Sequence, residues 1–251
     1  MKLHRLLRNS VLVAVFGAFA LAASSPAHAG PMAIWTDWTS SSGNTSNVSN
    51  GWAVGTMDGV GVYYTGQTVG LSSTYNSQYP GSGGIGVWNP GLSWTGGWVT
   101  NAPPTSFDSV GLYGGAAGTE ADPGAIETIS FSSPVTDPVM AIWSLGGSAG
   151  PAEFDFTSGE PFTIIAGGPN AQFGGGPITA SGETVYGTEG NGTIEFNGIY
   201  SSISFTTPIF ENYYAFTFGE QTPEPETLSL LGLGLLALPL LRASLARRRR
   251  A

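Results

Sequence analysis

The stretch AVGTMDGVGVYYT, Ala53 to Thr65, sets the fold class. Ala53–Met57 and Val60–Thr65 flank Asp58-Gly59, and an Asp-Gly pair between two such runs is a strong two-residue hairpin signal. Both central positions of that turn need the positive φ that Asp and Gly tolerate. Working outward, Thr193–Phe196 and Ile199–Phe205 flank Asn197-Gly198, which predicts a second hairpin of the same type. Glu153–Thr157 and Phe162–Ala166 flank the turn-forming Ser158-Gly159-Glu160-Pro161. Ile126–Phe131 alternates, with Ile126, Thr128 and Ser130 on one face and Glu127, Ile129 and Phe131 on the other. Val139–Leu145 is a continuous apolar run closed by Gly146-Gly147, the pattern of a buried strand. Tyr213–Phe218 alternates and stops at Gly219. Nothing between Gly30 and Gly219 shows a helical period with caps. Strands at about ten-residue spacing predict an all-β domain, a β-sandwich or jelly roll. Ala102-Pro103-Pro104 is a plausible break, but residues 30–221 read as one domain.

Both ends differ from this body. Lys2, Arg5 and Arg8 precede the apolar Val11–Ala23, and Ala27-His28-Ala29 is a small-x-small cleavage site. Residues 1–29 therefore read as a secretory signal peptide, with Ala27 and Ala29 flanking the signal peptidase cut. At the other end, residues 222–251, Pro223-Glu224-Pro225 precedes an apolar segment over 227–246 and then Arg247, Arg248, Arg249 and Arg250. As a helix, Leu228–Leu241 rises about 21 Å, and extension to Ala246 with Arg242 snorkelling reaches about 29 Å, close to a hydrocarbon core of roughly 30 Å. The arginine cluster predicts that this end is cytoplasmic by the positive-inside rule.

Pro-Glu-Pro, apolar helix and arginines in that order resemble the C-terminal sorting tail of PEP-CTERM proteins. Two body segments, Ile129 to Gly146 and Glu189 to Phe205, resemble body segments of the same family more loosely. The resemblance implies an exported protein of a Gram-negative bacterium, handled by an exosortase as an inner-membrane intermediate. It would then be delivered to the cell surface or extracellular matrix, in cells that often make exopolysaccharide. It carries over no catalytic residue.

The charge distribution narrows the chemistry. The net charge is −9, but all eight Lys and Arg and both His lie in the two ends, and the 17 acidic residues fall between Asp37 and Glu226. The body has no Lys, Arg, His or Cys. It therefore has nothing with which to neutralise nucleic acid phosphates or an anionic lipid surface. Serine–histidine and cysteine–histidine nucleophile systems, lysine Schiff bases, and zinc sites built on His or Cys are excluded as well. Gly81-Ser82-Gly83-Gly84-Ile85-Gly86 matches a dinucleotide fingerprint in letters only, since no βαβ pattern surrounds it. The sequons at Asn44, Asn47 and Asn191 are expected by chance in a chain this rich in Asn, Ser and Thr.

Carboxylates and tryptophans remain. Glu153 and Asp155 sit two apart on a predicted strand and share a face, and Glu120 and Asp122 lie close together before Pro123-Gly124. Solvated surface charge is the favoured account, with calcium as the only cofactor such pairs suit. Two carboxylates are also the minimum for a glycoside hydrolase, a remote alternative. Trp88, Trp94 and Trp98 fall in a Gly- and Pro-rich stretch with two readings: rings that plug the core, which the sequence favours, or faces on which sugar rings stack. Trp35, Trp38, Trp52 and Trp143 read as core. The leading expectation is a non-enzymatic surface or matrix protein associated with exopolysaccharide and biofilm. A carbohydrate-binding module is the alternative.

Overall fold

A computed structural model describes residues 32–42, 48–75, 85–89, 94–114, 124–147, 151–167, 175–209 and 211–222. The segments expected to be a signal peptide (1–29) and, from Pro223 on, a sorting tail lie outside the described residues, as does the pair Glu120 and Asp122. In chain order the strands are β1 (Ala33–Trp35), β2 (Asp37–Ser41), β3 (Val48–Met57), β4 (Val60–Thr68), β5 (Gly70–Ser72) and β6 (Thr74–Tyr75). Then come β7 (Ile85–Gly86), β8 (Ser109–Gly114), β9 (Glu127–Thr136), β10 (Val139–Leu145), β11 (Ala152–Phe156) and β12 (Phe162–Ala166). The last are β13 (Thr179–Ser181), β14 (Thr184–Gly187), β15 (Gly190–Phe196), β16 (Ile199–Thr206) and β17 (Glu211–Gln221). No helix occurs among the described residues, as the missing 3.6-residue period predicts.

The strands form two main antiparallel sheets. Sheet I runs β12-β15-β10-β17-β8-β5, with β1 paired to the end of β17, and sheet II runs β13-β14-β11-β16-β9-β4-β3-β2. Their inner faces share one core. Met57, Val62, Tyr64, Ile129, Phe154, Phe156, Ile203 and Phe205 of sheet II pack with Leu112, Met140, Ile142, Ile194, Phe196, Phe216 and Phe218 of sheet I. The arrangement is β-sandwich-like. Edge-on ring pairs dominate it, among them Phe154–Phe205 at 5.2 Å, Phe156–Phe196 at 4.9 Å and Tyr64–Phe216 at 5.5 Å. Each such pair adds about 0.5–1.5 kcal/mol to the burial of its rings, and no disulfide assists the core.

The Asp58-Gly59 expectation holds in detail. Met57 pairs Val60, and φ is positive at both Asp58 (45°) and Gly59 (83°), the geometry of a type I′ turn. The second hairpin does not form. β15 pairs β10 and β12 in sheet I, whereas β16 pairs β11 and β9 in sheet II, so Asn197-Gly198 carries the chain across the sandwich. Asn197 keeps a non-positive φ, which a type I′ turn forbids. Ser158–Pro161 crosses between sheets in the same way, from β11 to β12. From β8 onward the described strands alternate between the sheets, broken only by the β13–β14 hairpin.

β10 is buried at every position, as its unbroken apolar run predicts, because the centre of sheet I is covered on both faces. Val87, Trp88, Trp94 and Val99 lie on its outer side with Trp35, Val139, Ala141, Trp143 and Ala215, forming a second core. β9 runs five residues past the expected end at Phe131. Its pairing with β16 shifts register around Ser132-Ser133-Pro134, where a proline cannot donate to the ladder.

Candidate functional site

With the centre of sheet I covered, the outer face of sheet II is a broad open strand surface among the described residues. Alternation assigns its residues. On β3 and β4, Ala53, Met57, Val62 and Tyr64 point inward, while Trp52 and Tyr63 point outward and stay 42% and 49% exposed. Trp52 lies opposite Thr65 and Val54 opposite Tyr63, so the two rings are diagonal neighbours on adjacent strands. The Trp52 backbone is bonded through both N and O to Ser42, whose Oγ accepts from Trp52 N at 2.8 Å and whose N donates to Trp52 O at 3.0 Å. Tyr63 lies over Gly61, its hydroxyl and ring carbons 3.0–3.3 Å from where a Cβ would stand. The missing side chain is what lets the ring lie down there.

Beyond the rings the face carries hydroxyls. Thr65 faces Thr128, Tyr63 faces Ser130, and these in turn face Ser204 and Ser202 of β16. Thr128 and Ser204 are joined by a 3.0 Å hydrogen bond between their hydroxyls. Glu153 and Asp155 follow on β11, half-buried and on one outward face as the two-residue spacing predicts. Thr184 Oγ1 donates to Asp155 Oδ1 at 3.0 Å. Partial burial, and then the charge of Asp155, raise the pKa of Glu153 above its ordinary value. Among the described residues no group of three or more His, Cys, Asp or Glu gathers as a metal site would require.

A different carboxylate is the most perturbed. Glu127 shares the inner face of β9 with Ile129 and Phe131 and is fully buried. Burial without a counter-charge pushes its pKa up to about 8, opposed by the hydroxyls of Thr207 and Tyr64. Thr207 Oγ1 donates to its Oε1 at 3.1 Å, and Oε2 has no hydrogen-bond partner. The Tyr64 hydroxyl donates to the Gln67 carbonyl. Burial and then the nearby Glu127 lift the phenols of Tyr64 and Tyr214 well above the usual range. A Cβ at Gly66 would stand 2.8 Å from both Glu127 Cγ and the Tyr64 hydroxyl, so the glycine makes room for the acid. At neutral pH this carboxyl is a protonated core group. In the sequence its mark is an acid on the apolar face of an alternating strand, alone rather than paired with a second carboxylate.

The three candidate sugar-stacking tryptophans divide. Trp88 and Trp94 are 1% and 0% exposed and meet edge-on at 5.3 Å, with Trp94 Nε1 donating to Ile142 O at 2.9 Å. Stacking needs an open face, so the binding reading fails for both and they are core plugs. Trp98 is half-buried against the same cluster, and its Nε1 donates to Glu195 Oε1 at 2.5 Å. Trp35, Trp38 and Trp143 are buried as expected, but Trp52 is not. Even alternation places Trp52 opposite Ala53, and its composition alone made it look like core. The sequon asparagine Asn191 is also buried, accepting from Ser144 N at 2.7 Å.

No family model matches this sequence, and no curated protein or solved structure is significantly similar to it. Among the described residues no helix is long and apolar enough to cross a membrane.

Proposed function

We propose that the chain is an exported, non-catalytic β-protein of the bacterial cell surface or matrix. In this reading it is carried there by its signal peptide and by exosortase processing at Pro223-Glu224-Pro225. The observation that carries the reading is the segregation of charge: every Lys, Arg and His lies in the two terminal segments, between Lys2 and His28 or between Arg242 and Arg250, and the body between them has none. A body of this kind, with jelly-roll-like crossings between two sheets, suits a stable display module outside the cell. The placement of the carboxylates favours binding over catalysis. Glu127 is sealed in the core, and Glu153 and Asp155 are same-strand neighbours on an open face rather than groups set across a cleft.

Fractionation and mass spectrometry of the protein from its host test this. The expected result is a surface-associated species that lacks residues 1–29 and ends near Pro223–Glu226. Surface protein that retains peptides running intact from Phe218 through Leu241 to the arginines would reduce the tail to an anchor. Recovery from the cytoplasm with Met1–Ala29 attached would overturn export.

A further inference from the structure

We infer that the outer face of sheet II, from β3 to β16, is a platform for a neutral polysaccharide chain. Display at the cell surface, proposed above, supplies the setting in which such a chain comes within reach.

Four observations converge on that chemistry. Large exposed aromatics bind when they are held still, because little side-chain freedom is then lost. Tyr63 is held in this way by the space left at Gly61, and Trp52 stands beside it on a backbone tied to Ser42. As diagonal cross-strand neighbours, the two residues stand about 7–8 Å apart, suited to successive rings of one sugar chain. The C–H faces of pyranose rings pack on aromatic planes, and their equatorial hydroxyls need polar partners at the rim.

Those partners are present along the ladder. The row Trp52, Thr65, Thr128, Ser204 runs across four strands, roughly 14 Å at the usual strand spacing, and Tyr63, Ser130 and Ser202 run parallel to it. Asp155 lies beyond as a charged acceptor for sugar hydroxyls. The sign of the charge then selects among ligands. The body offers no cation, so a sulfated, phosphorylated or uronic acid polymer gains nothing and is repelled by Glu153 and Asp155. The same repulsion disfavours a second copy of this chain, which would set net negative charge against net negative charge.

The test uses the protein isolated from its host in mild detergent, run on native gels containing hydroxyethylcellulose, galactomannan or alginate. Retardation by at least one of the two neutral polymers and none by alginate is expected. Trp52→Ala should weaken the apparent affinity at least about tenfold, and Tyr63→Ala should weaken it as well. Trp98→Phe, in the segment that covers the outer side of sheet I, should bind as the parent does. Both truncated side chains are exposed, so an unchanged melting temperature separates lost binding from lost fold. No retardation by either neutral polymer, retardation by alginate, or parental binding by Trp52→Ala and Tyr63→Ala would overturn the inference. So would a shift from dimer to monomer in Trp52→Ala, which would make the face a self-association surface. Export is judged separately, from the terminal peptides, and Trp52→Ala should reach the surface as the parent does.

Discussion

Asp58-Gly59 and Asn197-Gly198 are similar turn dipeptides, each set between two strands, and they do opposite things. The first closes β3 onto β4 within sheet II. The second sends the chain from sheet I to sheet II, and neither flanking strand pairs with the other. Local chemistry suffices for the first turn. Both of its residues adopt positive φ, and a Cβ at Gly59 would meet nothing within 4 Å. The second turn is held from outside. Gly198 N donates to Asp137 Oδ1 at 2.7 Å, Asp137 N donates to Gly198 O at 2.7 Å, and Asn197 N donates to Pro161 O at 2.9 Å. Three sheet-crossing turns thus brace one another. A dipeptide proposes a turn, and the partners its strands find decide which sheet the next strand joins.

If the crossing half depends on the shared core, the largest loss should come from Phe196→Ala, at the last residue before the second turn. Phe196 is fully buried against Phe156, Phe162 and Phe218. We expect a loss of about 3–5 kcal/mol in denaturant melts. A loss below 1 kcal/mol would mean that this half does not rely on the core.

Glu127 ties the two halves together, lying between Tyr64 of the hairpin and Thr207 of the crossing region. Its folded pKa of about 8 stands above the ordinary 4.5, so the folded state holds the proton more tightly than the unfolded state. Its contribution is fully present below about pH 4.5 and is lost as pH rises through about 8, with a slope of at most about 1.4 kcal/mol per pH unit. Stability should therefore fall from pH 5 to pH 8, and Glu127→Gln should flatten the fall. An unchanged slope in Glu127→Gln would assign the pH dependence to the other carboxylates.

Removing the brace at Asp137 should cost about 1.5–3 kcal/mol, the value of a hydrogen bond to a charged group. Asp137→Asn, which keeps an acceptor, should recover part of it in the same melts. A full recovery by Asp137→Gly instead would mean that the positive φ at this position, 46°, matters more than the bond. The smallest effect belongs to the turn that stands alone. Gly59→Ala should cost about 1 kcal/mol, from backbone strain only. Gly198→Ala should cost more, since φ is 145° and the Tyr200 ring lies 3.3–3.5 Å from the new Cβ. Equal losses at the two glycines would erase the distinction drawn between them.

The difference also marks how far the sequence could be read. The positions of β3, β4, β9 to β12 and β15 to β17 were legible, because burial on one or both sides leaves its period in the residues. β1, β2, β5 to β8, β13 and β14 were not expected, and β17 runs past Gly219 to Gln221. The assignment of strands to sheets was not legible, because pairing across 45 or more residues, as between β10 and β15, leaves no local mark. Trp52 defies expectation for a related reason. Tryptophan is usually interior, and only the register of β3 shows that Trp52 points away from the core, whereas Trp88 and Trp94 are buried as the sequence favours. Glu127 was on the right face in the sequence, but its lack of a counter-charge is a property of the packed interior.

β1 lies beside the end of β17, pairing Ala33 with Gln221, and Thr222 N donates to Met32 O at 2.8 Å. The chain therefore enters and leaves this body at one spot, almost as a closed ring. Tension applied between Met32 and Thr222 peels β1 from β17 one bond at a time. A pull on Thr222 against a body held elsewhere is resisted differently: it runs along the eleven residues of β17, flanked by β10 and β8, and must shear both ladders together. A protein gripped by its open face and tugged from that end would meet the load with its strongest direction.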